Sequence, residues 1–470
     1  MIAQKISYNI IFNVITKVIS IALALFAIGM LARYLGTEGF GKYTTMLAFF
    51  AFFSAIGDFG LYPIATRDIS RDGADESWIM SRVFTLRMII SCVIFLLSTF
   101  FVWFLPYTTD VKTSILIACA AFIFSSGYGL LNGVFQKHIA MDRVALVELS
   151  GKIIQVFTIV LVLTLHLRFT AVAISLLATM FWNFIILFFV TRSYVTISFI
   201  PDSVYWKKFL KESAPMGISA IITFLYFKFD AIMLSFMQSQ SDVGIYGAAY
   251  KIIETLIFFP AMIVGLIFPL LSRYIISDIL IFNKITTIII KLFTIILIPL
   301  VICTVYLAPE IIAIVGGPDF HDAAPVLQIL IFALACVFFG QLFTNILIAG
   351  AHQKVLMYAL FFAALLNIVA NGIFIYLYSY TGAAIVSVIT EFFVAFVAII
   401  MTKRLTPFVC GDIRLPFIIL SGELMAILLF FLPLPHVFST CIAIVVYLFL
   451  LFFFRIVTHN DIMHILPKRS

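Results

Sequence analysis

The feature that most constrains this chain is the recurrence, from end to end, of apolar runs about twenty residues long separated by short polar interruptions. A bilayer core about 30 Å thick is crossed by about 20 helical residues, so each run has the length of one transmembrane helix. Composition allows no other solvent: 64% of the 470 residues are hydrophobic, 11% are charged, and the mean hydropathy is +1.20. These values lie far outside those of soluble domains. No stretch is left over for a soluble catalytic domain.

The runs predict an all-α polytopic membrane protein with about 14 transmembrane helices. Six cover about 10–34, 43–65, 83–105, 113–136, 144–165 and 169–191. A polar linker, about 192–211, separates them from six more at about 213–238, 243–270, 286–307, 325–349, 355–378 and 382–402. Two others, about 413–432 and 436–456, close the chain. The expected organisation is an N-terminal six-helix bundle (1–200), a second six-helix bundle (201–405), and two additional helices with a cytoplasmic tail (406–470). The first apolar run carries Lys17 and lacks a small-residue cleavage site, so it reads as a retained helix.

The formal net charge of +7 invites a nucleic-acid reading, but the Lys and Arg residues are scattered between apolar runs and form no basic stripe. Insertion topology accounts for them. One set of loops and tails holds 19 of the 29, from Lys5 through Arg67, Arg71 and Lys207 to Lys468 and Arg469. The opposite set holds 4, namely Arg33, Lys42, Lys112 and Arg168. The positive-inside rule then places both termini in the cytoplasm of a multi-pass inner (plasma) membrane protein.

A faint internal repeat links the halves. Gly41-Lys42-Tyr43 opens the second span and Gly244-Ile245-Tyr246 the eighth, and the NGVFQK ending at Lys137 pairs with the AGAHQK ending at Lys354. A parallel repeat of this kind is a transporter architecture.

Ionisable groups within a membrane cost at least about 2.5 kcal/mol at a helix centre, so each is a functional candidate. Each also has a structural reading as a snorkelling side chain or an internal ion pair. Lys17 follows Asn9 and Asn13 at four-residue spacing, which puts the three on one helix face turned from lipid. Lys228 and Asp230 fall near the middle of the seventh span on different faces, and both need partners from other helices. Lys251 and Glu254 share a face and could simply neutralise each other. Asp58, in Gly57-Asp58-Phe59-Gly60, reads equally as a helix-ending polar group and as an ion-coupling carboxylate. Arg87, Lys152 and Lys291 lie near cytoplasmic helix ends, where snorkelling explains them. Glu391 and Glu423 are deeper carboxylates without an informative spacing.

Catalytic signatures are missing: there is no DxD, GxSxG, HExxH or P-loop motif. The six cysteines lack CxxC spacing and the seven histidines lack metal-ligand spacing, so no metal, cofactor or disulfide is expected.

Several stretches together resemble a known family. LGTEGFGKY (35–43), GDFGL (57–61) and TRDIS (66–70), followed by VGIYGAAYKIIE (243–254), FHDAAPVLQIL (320–330), LNIVANGIFI (366–375) and YTGAAIVSVITE (380–391), are similar to Wzx-type O-antigen and polysaccharide biosynthesis flippases. These belong to the multidrug/oligosaccharidyl-lipid/polysaccharide exporter superfamily. The resemblance covers essentially the whole chain. It implies two six-helix bundles around a central cavity lined by the first, second, seventh and eighth helices. It also implies outward movement, by alternating access, of an oligosaccharide linked to an undecaprenyl pyrophosphate carrier.

On that placement Lys17, Lys228, Lys251 and Asn13 become substrate-binding candidates, and Asp58, Asp230 and Glu254 ion-coupling candidates. A pyrophosphate carries about two negative charges and calls for cations where it crosses the low-dielectric core. The implied partners are the lipid-linked oligosaccharide, membrane lipid and a polysaccharide polymerase, without nucleic acid. The alternative within the superfamily is a multidrug or cation antiporter, which typically has twelve helices and needs an acidic cavity. An oligosaccharide polymerase or ligase, the alternative among enzymes, would carry a large outward loop, and the outward loops here are short.

Overall fold

The computed structural model describes residues 2–432 and 434–456, with side chains for Phe12 and from Ile15 onward. Met1, Pro433 and 457–470 lie outside the description, as do the side chains of Lys5, Asn9 and Asn13, and with them the expected C-terminal tail. All regular structure among the described residues is helical. In chain order the helices are α1 (Ile2–Asp58), α2 (Leu61–Ile69), α3 (Glu76–Trp103), α4 (Thr109–Lys137), α5 (Met141–Thr164), α6 (Phe169–Thr191) and α7 (Ser203–Phe227). There follow α8 (Phe229–Met237), α9 (Gln240–Ser277), α10 (Ile279–Val315), a 3₁₀ turn (Pro318–Phe320), α11 (Ala323–Ala349), α12 (Gln353–Leu405), α13 (Leu415–Phe431) and α14 (His436–Phe453).

The helices do not map one to one onto the expected spans. At 57 residues, α1 would measure about 85 Å, nearly three times the bilayer core. It is divided at Gly36, whose φ of 63° and ψ of −175° belong to glycine almost alone. The 53-residue α12 divides in the same way at Ser379 (φ 49°, ψ −130°). In both places the polar connection expected from sequence continues in helical geometry up to a single break. Conversely, the seventh span is two helices, α7 and α8, bent by 50°. Among the described residues, ten helices are long and apolar enough to cross a membrane, eleven with the bent pair counted as one, and α13 is a shorter apolar helix of 17 residues. With α1 and α12 each divided at its break, every expected span has a helical counterpart.

Backbone contacts form two compact units. The first comprises Met1–Ala248, Val315–Phe320 and Asn367–Ala383, and the second Ala249–Ile314, His321–Leu366 and Ala384–Ser470.

In the first unit, α2, α3, α4 and α6 enclose a core that includes Leu61, Phe84, Leu131, Phe135 and Leu187. Helix α3 starts where Asp75 accepts a hydrogen bond from the Trp78 amide at 2.9 Å, with Glu76 favouring the positive end of the helix dipole. The polar linker is not free. The amides of Thr196, Ser198 and Ile200 donate to the hydroxyls of Ser77, Ser81 and Thr85 at 3.2, 3.0 and 2.9 Å. Four helical residues rise about 6 Å and two extended residues about 6.6 Å, so alternate linker amides meet every fourth residue of α3. The linker then enters α7 through Asp202. This residue accepts from the Tyr205 amide at 3.0 Å and pairs with Arg82 at 2.7 Å. Both contacts, the amide bond foremost, hold the Asp202 carboxyl below its ordinary range.

The second of the two sequence repeats fails in the structure. NGVFQK lies within the last turns of α4, whereas AGAHQK runs from the last residue of α11 across the turn into α12. The helix ends themselves correspond, with the Ala140 amide reaching Phe135 and the His352 amide reaching Leu347. The motif match is therefore several residues out of register. The Gly41/Gly244 match stands: each follows the start of its helical segment by four or five residues, and the two pack together. A Cβ on Gly41 would overlap the Gln240 carbonyl, and one on Gly244 the Thr37 carbonyl. Thr45 to Gln240 (3.0 Å) and Ser241 to Thr37 (2.8 Å) bond across the same crossing.

In the second unit α13 and α14 pack on α10 through Ile418, Met425, Tyr447 and Leu451 against Ile295, Ile298 and Ile302. Helix α10 contains Pro299 and Pro309, which cannot donate to the carbonyls four residues before them. Both carbonyls find other donors. The Tyr447 hydroxyl reaches Ile295 at 3.0 Å and the Gln328 amide reaches Val305 at 2.8 Å.

Candidate functional site

Three groups of polar side chains within the apolar helices of the first unit hold the candidates. The first is at the end of α1. Instead of continuing to about residue 65, the helix stops at Asp58, and Phe59 and Gly60 both take positive φ before α2 begins. Arg87 on α3, only 4% exposed, closes this end. It pairs with Asp58 at 2.8 Å and donates to the carbonyls of Gly57 (3.2 Å) and Asp58 (2.7 Å), and its Nε donates to Ser126 on α4. A cation on orphan C-terminal carbonyls complements the helix dipole. The snorkelling expected of Arg87 is thus corrected. Its guanidinium points inward because three polar partners wait there.

The second place is the bend between α7 and α8. Lys228 is not within a continuous helix as the spacing suggested; it is the non-helical residue at the bend, half-buried. Asp230 then falls in the first turn of α8, where the dipole favours a carboxylate. It is 3% exposed, accepts from the Ala231 amide at 2.8 Å, and also accepts from the hydroxyl of buried Tyr246.

The third is the packing of α1 on α5. Lys17 is half-buried, and its Nζ lies 3.6 Å from Glu148 Oε2, the side chains being 42% and 35% exposed. The Tyr128 hydroxyl on α4 donates to Glu148 Oε1 at 3.1 Å. Lys152, one turn beyond Glu148 on the same face, donates to Gln155 at 2.9 Å. Glu148 was missed from sequence because α5 was expected to begin at 144, which left the residue in a boundary turn. The helix begins at Met141, so the carboxylate lies two turns inside. Its one signal was the i,i+4 spacing to Lys152. Asn13 belongs to this stretch of α1, outside the described side chains.

The second unit carries the remaining candidates. Lys251 and Glu254 pair at 2.7 Å on α9, as their spacing allowed. Glu391 is buried on α12, whereas Glu423 is exposed on α13. Glu310, beside Pro309, meets His436 at the start of α14. Among the described residues no group of three or more His, Cys, Asp or Glu side chains is placed to hold a metal ion.

Long apolar helices broken at single residues, with basic and acidic side chains held inside them, define an all-helical polytopic membrane protein. Solved structures agree on the fold. The chain superposes on "Lipid II flippase MurJ, inward closed conformation" with a TM-score of 0.80 at 17% identity, over 95% of this chain and 99% of that one. A multidrug resistance MATE family transporter of the MOP superfamily, inward-facing, matches with a TM-score of 0.62 at 16% identity, over 84% of this chain and 97% of that one. A MOP superfamily transporter from Pyrococcus furiosus, described as having a binding pocket of reverse polarity, matches with a TM-score of 0.54 at 16% identity, over 85% of this chain and 94% of that one. No curated protein sequence matches. The family model for polysaccharide biosynthesis proteins matches residues 3–275, more than half of the chain, and the chain belongs to that family.

Proposed function

We propose that this protein is a flippase that carries oligosaccharide repeat units linked to undecaprenyl pyrophosphate from the cytoplasmic to the outer leaflet, by alternating access, in O-antigen, capsule or exopolysaccharide biosynthesis. The observation that carries the reading is one of extent. The structure of the lipid II flippase covers 95% of the chain, whereas those of the MATE family transporter and the Pyrococcus furiosus MOP superfamily transporter cover 84% and 85%. The share they leave out is comparable to the segment from 406 to the C-terminus, which holds α13 and α14. Membership of a polysaccharide biosynthesis family supplies the sugar, and the half-buried Lys17 and Lys228 supply cations suited to a pyrophosphate. Lys251 and Asn13 complete the proposed substrate set. Asp230 and Glu254, with Asp58, are the proposed ion-coupling carboxylates. The charge asymmetry of the loops supports an inner-membrane protein with both termini in the cytoplasm.

The test is leaflet-resolved labelling of lipid-linked oligosaccharide in cells depleted of the protein, complemented with wild type, Lys17→Ala or Lys228→Ala at equal abundance. Intermediates should accumulate on the cytoplasmic face without the protein and with either variant. Normal outward movement in depleted cells would refute the flippase reading and favour a small-cation antiporter.

A further inference from the structure

Three ion pairs within the apolar helices, among the described residues, are not alike. Arg87–Asp58 and Lys251–Glu254 are tight, at 2.8 and 2.7 Å, as charge-assisted hydrogen bonds should be. Lys17–Glu148 is looser, at 3.6 Å, and both side chains are more than a third exposed. Glu148 does not depend on Lys17 for its place, because Tyr128 holds its other oxygen. The pair itself is open to its surroundings on both sides, as those exposures show, and a methyl group on Gly129 of α4 would also meet nothing within 4 Å. One turn beyond Tyr128, the buried Asn132 Oδ1 has no hydrogen-bond partner. Glu148 is seven residues from the start of α5, about 10 Å in from the end that the charge asymmetry assigns to the cytoplasm. A lipid head group entering from the inner leaflet needs to travel only that far.

We infer that Glu148 is a resident counter-anion: it holds Lys17 while the site is empty and yields it to the pyrophosphate of the incoming lipid. This inference rests on the flippase reading. With Glu148 ionised, Lys17, Glu148 and Lys152 sum to one positive charge, which attracts a two-charge head group without trapping it. Once the pyrophosphate occupies Lys17, Tyr128 keeps the carboxylate close enough to repel the phosphate and favour its release. Glu148 is thus a positioning and affinity-setting residue, distinct from the cations that bind.

The experiment measures binding of geranylgeranyl pyrophosphate to the full-length protein in nanodiscs of uncharged lipid. Lys17→Ala should weaken binding about tenfold, and Glu148→Gln should tighten it about fivefold or more. Glu148→Asp, which keeps the charge, should stay within about twofold of wild type. Weakened binding by Lys17→Ala with no gain from Glu148→Gln would overturn the counter-anion role and leave the flippase reading standing. No binding by wild type or any variant would overturn both. Should Glu148→Gln fail to fold, Tyr128→Phe frees the same carboxylate, and an affinity unchanged from wild type would overturn the inference.

Discussion

Arg87→Ala tests how the end of α1 is held. The substitution leaves Asp58 without its cation, the carbonyls of Gly57 and Asp58 without their donor, and a void where a 4%-exposed side chain stood. Removing one partner of a buried ion pair costs about 3–5 kcal/mol. The Asp58 side chain is 34% exposed, and the water it reaches lowers the expected loss to about 3 kcal/mol. In a chain of this size that loss lowers the thermal midpoint by about 3 °C. The assay is thermal unfolding of detergent-purified protein, followed by size-exclusion fluorescence, for Arg87→Ala, Asp58→Ala and the double variant. Because the pair is coupled, the double variant should be less destabilised than the sum of the single ones by about 1–3 kcal/mol. Additive losses, or an Arg87→Ala midpoint equal to that of wild type, would refute the account of Arg87 as the cap of α1.

Three further outcomes follow from the packing. Gly41→Ala should destabilise the protein and lower its transport, because the new methyl group overlaps the Gln240 carbonyl, whereas Gly265→Ala, which meets nothing within 4 Å, should be neutral or stabilising in the same melting assay. Tyr447→Phe should cost about 1–2 kcal/mol by leaving the Pro299-released carbonyl of Ile295 without a donor, visible as a lower midpoint with unchanged helical circular dichroism. Asp202, with its carboxyl held low in the folded chain, contributes stability that is present above its unfolded value of about 3.9 and is lost as pH falls through the lower folded value. The midpoint should therefore fall more steeply below about pH 4 in wild type than in Asp202→Asn, and parallel curves would remove Asp202 as the anchor of α7.

The spans were legible because lipid imposes one requirement, about twenty apolar residues, and each run answers it independently of the others. The breaks at Gly36 and Ser379 fall in the gaps left between the expected spans, 35–42 and 379–381; less legible was that the connections stay helical on both sides of a single residue, which the absence of proline in Leu35–Tyr43 allows. The bend at Lys228 was hidden because the apolar run is continuous across it. Pairings were legible only within one helix. Lys251 and Glu254 are three residues apart, and spacing alone put them together. Arg87 with Asp58, Lys17 with Glu148, and Asp230 with Tyr246 join different helices, and helical periodicity gives the face of a residue but not the neighbour it meets. The sixfold offset between repeats survived at Gly41 and Gly244, where close backbone approach demands glycine on both sides. It failed at the Gln-Lys pairs, which lie at the end of α4 and the start of α12, where side chains carry no such demand.

The ladder between the linker and α3 turns a connecting segment into one with a reading frame. Only alternate amides of 196–200 face the hydroxyls of Ser77, Ser81 and Thr85, so one residue added before Thr196 would present the wrong amides and push α7 along by one position. Two added residues would restore the facing pattern at the expense of one rung. The longest polar stretch in the chain, which composition alone would nominate as the place to insert a tag or split the gene, is therefore among the worst choices for either.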